Sequence, residues 1–374
     1  MKIAILSPFY PFRGGMSQFS GRLYPELSQK NEVKAFSYKT LYPGWLFPGK
    51  TQFVQDGDAA LPVPNERVLS TINPFTYSTT AKRINRFSPD VLIIPYWMSL
   101  LAPVYGIVCR LLHKKIKVVG LIHNAIPHEK RFFDAAFARF FFNRCDGFIV
   151  LSEPVKQDML KLIPQAKIML SPHPIYDQYK ITMSPEEARK SLGIDPKKKT
   201  LLFFGLIREY KGLDILIRAM SYLDDSYQLI IAGESYEDFD KYDNLITASP
   251  LKDNIKALQQ YIPDEMVGTL FSAADVLILP YRSATQSGVL AVATQLETPV
   301  ISTNAGALGQ SILSSGIGLV VDDISPDSIA GAINKYFTNP DLQKEYILNL
   351  KEEKKRLSWP AFADAVERFI TEIL

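Results

Sequence analysis

Short, almost unbroken apolar runs recur along this chain, at 2–6, 33–37, 91–95, 117–123, 147–151, 200–204, 228–232, 276–279 and 300–302. A strand that is apolar on both faces must be covered on both faces, and a parallel sheet flanked by helices meets that condition. The intervening segments predict helices over 16–29, 79–87, 100–113, 132–144 and 154–162 in the first half. In the second half they predict helices over 184–192, 212–220, 264–272, 288–296, 326–338 and 341–357. The pattern therefore predicts an α/β chain of Rossmann-like, doubly wound parallel sheets. Residues 40–75 are rich in proline, glycine and aromatics, show no clean period, and are expected to form an elaborated loop.

The alternation pauses at Ser171-Pro172-His173-Pro174. It restarts at a capping box, with Ser184 and Glu187 three apart and Pro185 between them. At ~100–200 residues per domain, this length suits two domains. The expected division is 1–175 and 176–357, with a final helix at 358–374 crossing back onto the N-terminal domain. His173, between two prolines, reads as a structural residue of the hinge. The cleft faced by the strands' carboxyl ends is the default ligand site.

Hydrophobic residues make up 47% and charged residues 22%, which excludes a disordered chain. Cys109 and Cys145 are the two cysteines, and neither lies in a CxxC pair. They point to a reducing compartment and away from a cysteine zinc site. The first apolar run ends at Ser7-Pro8, which does not read as a signal peptide. The stretch 96–112 is broken by Pro103, Gly106 and Arg110 and is shorter than the ~20 residues a bilayer span needs. The expectation is a cytoplasmic protein, with peripheral contact at the inner face of the membrane.

That membrane expectation comes from charge. Residues 1–175 carry 22 Lys+Arg against 11 Asp+Glu, or +11, while the remainder carries 20 against 28, or −8. Such a split is either the ordinary difference between two domains or a sign that the N-terminal half faces an anionic partner.

Two segments carry chemistry. In Phe203-Phe204-Gly205-Leu206-Ile207-Arg208-Glu209-Tyr210-Lys211-Gly212, a strand ends at Gly205 and a helix opens at Gly212. Arg208 and Lys211 stand between them. Two cations beside a helix start suit a diphosphate, the arginine as a fork and the lysine as a point charge. In Pro280-Tyr281-Arg282-Ser283-Ala284-Thr285-Gln286-Ser287-Gly288-Val289-Leu290, small residues open a helix and leave N–H groups free for phosphate oxygens. Taken singly, each segment is also an ordinary strand–turn–helix.

Together these residues resemble the family 4 glycosyltransferases of the GT-B fold, a retaining group that uses nucleotide-sugar donors. The resemblance runs through Gly14-Gly15 after the first strand, His123 at a strand end and Gly205…Arg208…Lys211-Gly212. It continues through Ala273-Ala274-Asp275-Val276-Leu277-Ile278-Leu279-Pro280 and Thr298-Pro299-Val300-Ile301 leading into Asn304-Ala305-Gly306. It implies that Arg208 and Lys211 hold the donor diphosphate and stabilise the leaving nucleotide. The Ser287-Gly288-Val289-Leu290 backbone would bind the phosphates from the other side. Gly14 and Gly15 would admit close backbone approach, and His123 would contact the transferred sugar. Glu234, after the strand 228–232, is a candidate for the nucleotide pocket. Asn124 and His128 are candidates for acceptor or sugar contacts.

One departure matters. The family places a glutamate at each end of a nine-residue segment before its Thr-Pro-Val strand. Aligned on Thr298-Pro299-Val300, those positions here hold Ala284 and Val292. The second glutamate grips the ribose in the family, so its absence leaves ribose recognition, and donor identity with it, unassigned by the resemblance; Gln286 offers an uncharged hydrogen bond in place of the first. The segment 121–129 holds His123, His128 and Glu129, but its spacing and Pro127 argue against a helical metal pair. In residues 130–144, six phenylalanines alternate with Lys130, Arg131, Arg139 and Arg144. This reads either as a core helix with a basic face or as a membrane-surface helix.

The expected function is retaining transfer of a hexose-type sugar from a nucleoside diphosphate donor to a hydroxyl of a glycan or lipid-linked acceptor, in cell-surface polysaccharide or glycolipid synthesis. No cofactor, metal or nucleic-acid partner is expected. A nucleotide-sugar epimerase on the same fold would want cleft carboxylates that the sequence does not offer. A catalytically silent sugar-binding subunit would suit the missing glutamates and not the two cations. A nicotinamide dehydrogenase is disfavoured because no GxGxxG follows the first strand.

Overall fold

The computed structural model describes residues 1–42, 52–54, 61–125, 132–175, 177–235, 237–284 and 287–374. They divide into two compact units. The first comprises Met1–Pro174 together with Trp359–Leu374, the second Ile175–Ser358.

The first unit holds a seven-stranded sheet: β1 (Lys2–Leu6), β2 (Glu32–Thr40), β3 (Asn65–Ser70), β4 (Val91–Tyr96), β5 (Lys117–Ile122), β6 (Gly147–Val150) and β7 (Ile168–Leu170). All pairings are parallel, in the order β3-β2-β1-β4-β5-β6-β7. The second unit holds six strands: β8 (Lys199–Phe204), β9 (Tyr227–Ala232), β10 (Ile255–Leu258), β11 (Val276–Leu279), β12 (Val300–Thr303) and β13 (Gly318–Val321). Their order is β10-β9-β8-β11-β12-β13, again all parallel. Each sheet is doubly wound, and its strand order reverses once, between β1 and β4 and between β8 and β11.

The central strands β4, β6, β9 and β11 are buried along their whole length. In the first unit one sheet face packs against Tyr77, Val104, Tyr105, Phe141 and Phe142. The other packs against Phe19, Leu23 and Leu27 of helix Gly15–Ser28 and against Trp359, Phe362, Val366, Phe369 and Ile370 of helix Trp359–Ile373. A Cβ at Gly147 would meet Ile373 at 2.3 Å, so the final helix lies directly on β6.

Several sequence expectations need correction. Residues 65–70, assigned to an irregular loop, form strand β3 beside β2, and the next helix begins at Phe75 rather than 79. The aromatic helix spans Asp134–Phe142, shorter than 132–144. Helices Asp240–Ala248 and Ala307–Ser315 and strands β7, β10 and β13 had no expectation. The capping box at Ser184 and Glu187 is present, with Ser184 Oγ accepting the Glu187 N–H at 3.3 Å. Among the described residues no helix is long and apolar enough to cross a membrane.

Candidate functional site

The strand order decides which loops of the second unit can meet. β8 and β11 are neighbours although two strands and three α-helices separate them along the chain, and Val276 pairs with Leu201. The loop after β8 carries Arg208 and Lys211, and the loop after β11 leads into helix Gly288–Gln295. Both motifs therefore leave the sheet on either side of its topological switch point, where open α/β sheets bind ligands.

Beyond Gly205 the chain forms a single 3-10 turn, Glu209–Lys211, and helix Leu213–Ala219 follows. Gly205 has φ 97° and Gly212 φ 68°, values that glycine adopts without cost. A side chain at Gly205 would begin 3.1 Å from Val289 Cγ2 and 3.2 Å from Lys211 Nζ. The structure thus brings Gly205, Lys211 and Val289 together.

Lys211 is 7% exposed and has no carboxylate partner among the described residues. Its Nζ lies 5.6 Å from the centre of the Tyr281 ring. Burial, reinforced by the Arg208 charge, pushes its ammonium down from 10.5 to about 8. A buried cation without a counter-ion is costly unless an anion joins it. Arg208 itself is exposed.

Two residues outside the expected site hold these loops together. Arg282 donates to both carboxylate oxygens of Asp214, at 3.0 and 2.7 Å, and to the Glu209 carbonyl at 2.7 Å. Its own backbone N–H reaches the Tyr210 carbonyl at 2.7 Å. No local spacing announces a pair 68 residues apart. Burial pushes the Tyr281 hydroxyl up to about 12, with the Ser287 side chain opposing that rise.

Helix Gly288–Gln295 is capped by Ser287, whose hydroxyl accepts the Leu290 N–H at 3.4 Å. No described residue lies within 4 Å of where a Gly288 side chain would begin. Val292, at the family's ribose position, is buried in the core beneath this helix. Glu234 contributes its backbone, its carbonyl accepting the Ile207 N–H at 2.9 Å, while its side chain is exposed. Thr285 and Gln286 lie outside the described residues.

In the first unit His123 follows β5, its N–H donating to the Tyr96 carbonyl at 2.9 Å. Its ring meets Phe19 edge-on at 4.8 Å and lies 6.3 Å from His173. Phe19 also contacts His173 at 5.1 Å and Trp359 at 5.0 Å. His173 and Trp359 are within two residues of the two points where the chain passes between units. His123 Nε2 is buried and has no hydrogen-bond partner among the described residues. Burial first, then His173, pushes its pKa down to about 3, so the ring is neutral at physiological pH.

Gly14 caps the helix that carries Phe19 and has φ 104°. No described residue stands within 4 Å of a side chain at Gly14 or Gly15. Backbone conformation accounts for Gly14, and nothing in the structure explains Gly15. Asn124 is exposed beside His123. His128, with Glu129, lies outside the described residues.

Two doubly wound parallel-sheet units are the architecture of the GT-B class. The profile of the family described as Glycosyltransferase Family 4 matches residues 13–178, and that of Glycosyl transferases group 1 matches residues 184–353. The chain belongs to the family 4 glycosyltransferases of the GT-B fold.

Among relatives, YtcC of Bacillus subtilis, a candidate glycosyltransferase by name, is 27% identical over 274 residues, covering 68% of this chain and 66% of that protein. The D-inositol 3-phosphate glycosyltransferase of Corynebacterium jeikeium is 26% identical over 197 residues, 50% of this chain and 47% of that one. The chain thus spans about half to two thirds of the length of these relatives, 47% of one and 66% of the other. In structure, Anabaena Alr3699/HepE, crystallised with UDP, superposes with a TM-score of 0.66 at 14% identity over the full length of both chains. Sucrose-phosphate synthase of Thermosynechococcus elongatus gives 0.63 at 18% identity, over 99% of this chain and 98% of that one.

Proposed function

We propose that this protein moves a hexose-type sugar, with retention, from a nucleoside diphosphate donor to a hydroxyl of a glycan or lipid-linked acceptor in cell-surface glycan synthesis. Lys211 carries the reading. A lysine this buried, without a carboxylate among the described residues, wants an anion, and it lies at the switch point beside a helix N-terminus. The diphosphate supplies that anion, and Arg208 forks the phosphate oxygens exposed to solvent. The N–H groups at the start of helix Gly288–Gln295 complete the cradle. Solved relatives of this fold that hold UDP or UDP-glucose support the donor class.

In the proposed reaction the bond from the sugar's anomeric carbon to the diphosphate oxygen breaks, and its electron pair stays with the diphosphate. Arg208 and Lys211 stabilise that growing charge. The acceptor oxygen bonds to the same face of the carbon, and its proton passes to the departing diphosphate. The two cations supply the counter-charge, so the reaction runs without a divalent metal. His123, neutral, acts as a hydrogen-bonding group toward the transferred sugar rather than as an acid or base.

The test is a thermal-shift screen of nucleoside diphosphate sugars, followed by calorimetry on Arg208→Ala. A ligand at a hundred times its dissociation constant should stabilise the fold by ~2.7 kcal/mol. Donor affinity unchanged in Arg208→Ala would overturn the diphosphate assignment. Incubating the donor without acceptor and following the sugar by NMR separates transfer from epimerisation.

A further inference from the structure

One face of the N-terminal sheet is covered in part by three helices, Phe75–Phe87, Ala102–Arg110 and Asp134–Phe142, packed side by side. They contain one carboxylate, Asp134, which is 2% exposed and hydrogen-bonded to Ser99. Of the cations on these helices and the turns that follow them, Arg83 pairs with Glu66 at 3.2 Å, and most of the others have no carboxylate partner among the described residues. Lys82, Arg86, Arg110, Lys114, Lys115 and Arg144 form no ion pair among the described residues.

The same layer exposes large apolar side chains. Phe75 is 86% and Phe132 98% exposed, and each stands at the N-terminal end of its helix. Ile107, Leu111 and Phe140 are also exposed. Phe140 lies across Gly106, where a Cβ would come 2.4 Å from its ring, so the two helices share one continuous surface. The sequence left the phenylalanines of this region open between core and surface. The structure divides them, with Phe141 and Phe142 buried and Phe132 and Phe140 outside.

We infer that this helix layer is a docking surface for a bilayer rich in anionic phospholipid. The charge is complementary, and each cation near such a surface contributes independently. The exposed apolar groups distinguish a bilayer from a nucleic acid. Aliphatic Ile107 and Leu111 gain nothing against a sugar–phosphate backbone but gain area at the acyl boundary. In a doubly wound sheet these helices begin where the strands end, so Phe75 and Phe132 share the rim that carries His123. A membrane touching that rim presents lipid-linked hydroxyls beside the candidate sugar-contact residue.

The experiment is flotation of the full chain with phosphatidylcholine vesicles, with and without phosphatidylglycerol, over a salt series. Binding is expected to require phosphatidylglycerol and to fall as salt shortens the Debye length from ~10 Å at 0.1 M. Arg110→Gln with Arg144→Gln should weaken binding about fivefold per cation, the equivalent of about 1 kcal/mol each. Phe75→Ser with Phe132→Ser should weaken binding while leaving its salt dependence intact. All four side chains are exposed, and an unchanged thermal shift with a nucleoside diphosphate shows that fold and donor site survive. No binding, salt-independent binding, or vesicle binding that survives both double variants would overturn the proposal. So would displacement of the protein from vesicles by duplex nucleic acid at the same cation cost.

Discussion

Gly212 lies so close to the Pro280 carbonyl that a Cβ on it would fall 2.0 Å from that oxygen. The residue after Lys211 is thus the contact point of the two loops that leave β8 and β11. Its φ of 68° adds a conformational cost of about 1–2 kcal/mol for any other residue. Gly212→Ala is therefore expected to lower the denaturant midpoint and to weaken nucleoside diphosphate binding together, because relieving the clash parts the loops. Calorimetry and urea unfolding check both effects. Full donor affinity in the variant would show that loop contact does not build the site.

Lys211 makes a prediction of unusual sign. Its pKa is lowered in the folded protein, so below about pH 8 it is charged in both folded and unfolded states, and the burial penalty is fully present. As pH rises from about 8 toward 10.5 the folded lysine deprotonates first, and the penalty is relieved. Lys211→Met should therefore stabilise the ligand-free protein at neutral pH, by on the order of 3 kcal/mol. It should also abolish the stabilisation by a nucleoside diphosphate. In the wild type, donor affinity should fall as pH passes about 8. Thermal unfolding with and without ligand, across pH, measures all three.

His123 titrates near pH 3 and is neutral throughout the working range. The kcat/KM profile above pH 5 should then carry no limb from this residue. His123→Asn is expected to lower the profile by ~10–100-fold without changing its shape, the cost of one lost or misplaced hydrogen bond of about 1–3 kcal/mol. Nucleoside diphosphate affinity should stay constant. A pH limb that disappears in the variant would make His123 an acid or base instead.

If Arg208 and Lys211 supply the counter-charge, a chelator should leave the transfer rate unchanged, and added magnesium should not raise it. A steady-state rate that collapses in chelator and returns with metal would require a different account of the leaving group.

How much of this was legible beforehand follows from where each strand sits. The interior strands announce themselves as apolar runs because both faces are buried, as in β4 and β9. The four strands the sequence does not announce, β3, β7, β10 and β13, are the four edges of the two sheets. Edge strands have one neighbour and mixed burial, so their composition resembles that of loops. β10, Ile-Lys-Ala-Leu, has no fully buried residue.

In the site, Arg208, Lys211 and Gly205 were visible because they lie within one loop. Asp214 and Arg282 were not, because the bond between them exists only once β8 and β11 are neighbours. The neutrality of His123 is equally invisible, since it depends on burial against Phe19 and on the charge of His173, segments far apart in the chain.

The helix Trp359–Ile373 gives the N-terminal unit a history in time as well as a shape. Trp359, Phe362, Val366, Phe369 and Ile370 belong to the same core as Ile3, Ile5 and Phe19. A ribosome delivers those five side chains only after the whole second unit has been made. The nascent first unit must wait with one sheet face incompletely covered, exposed to chaperones and to aggregation, while the second unit is still being synthesised. An N-terminal fragment expressed alone would stay in that waiting state for good.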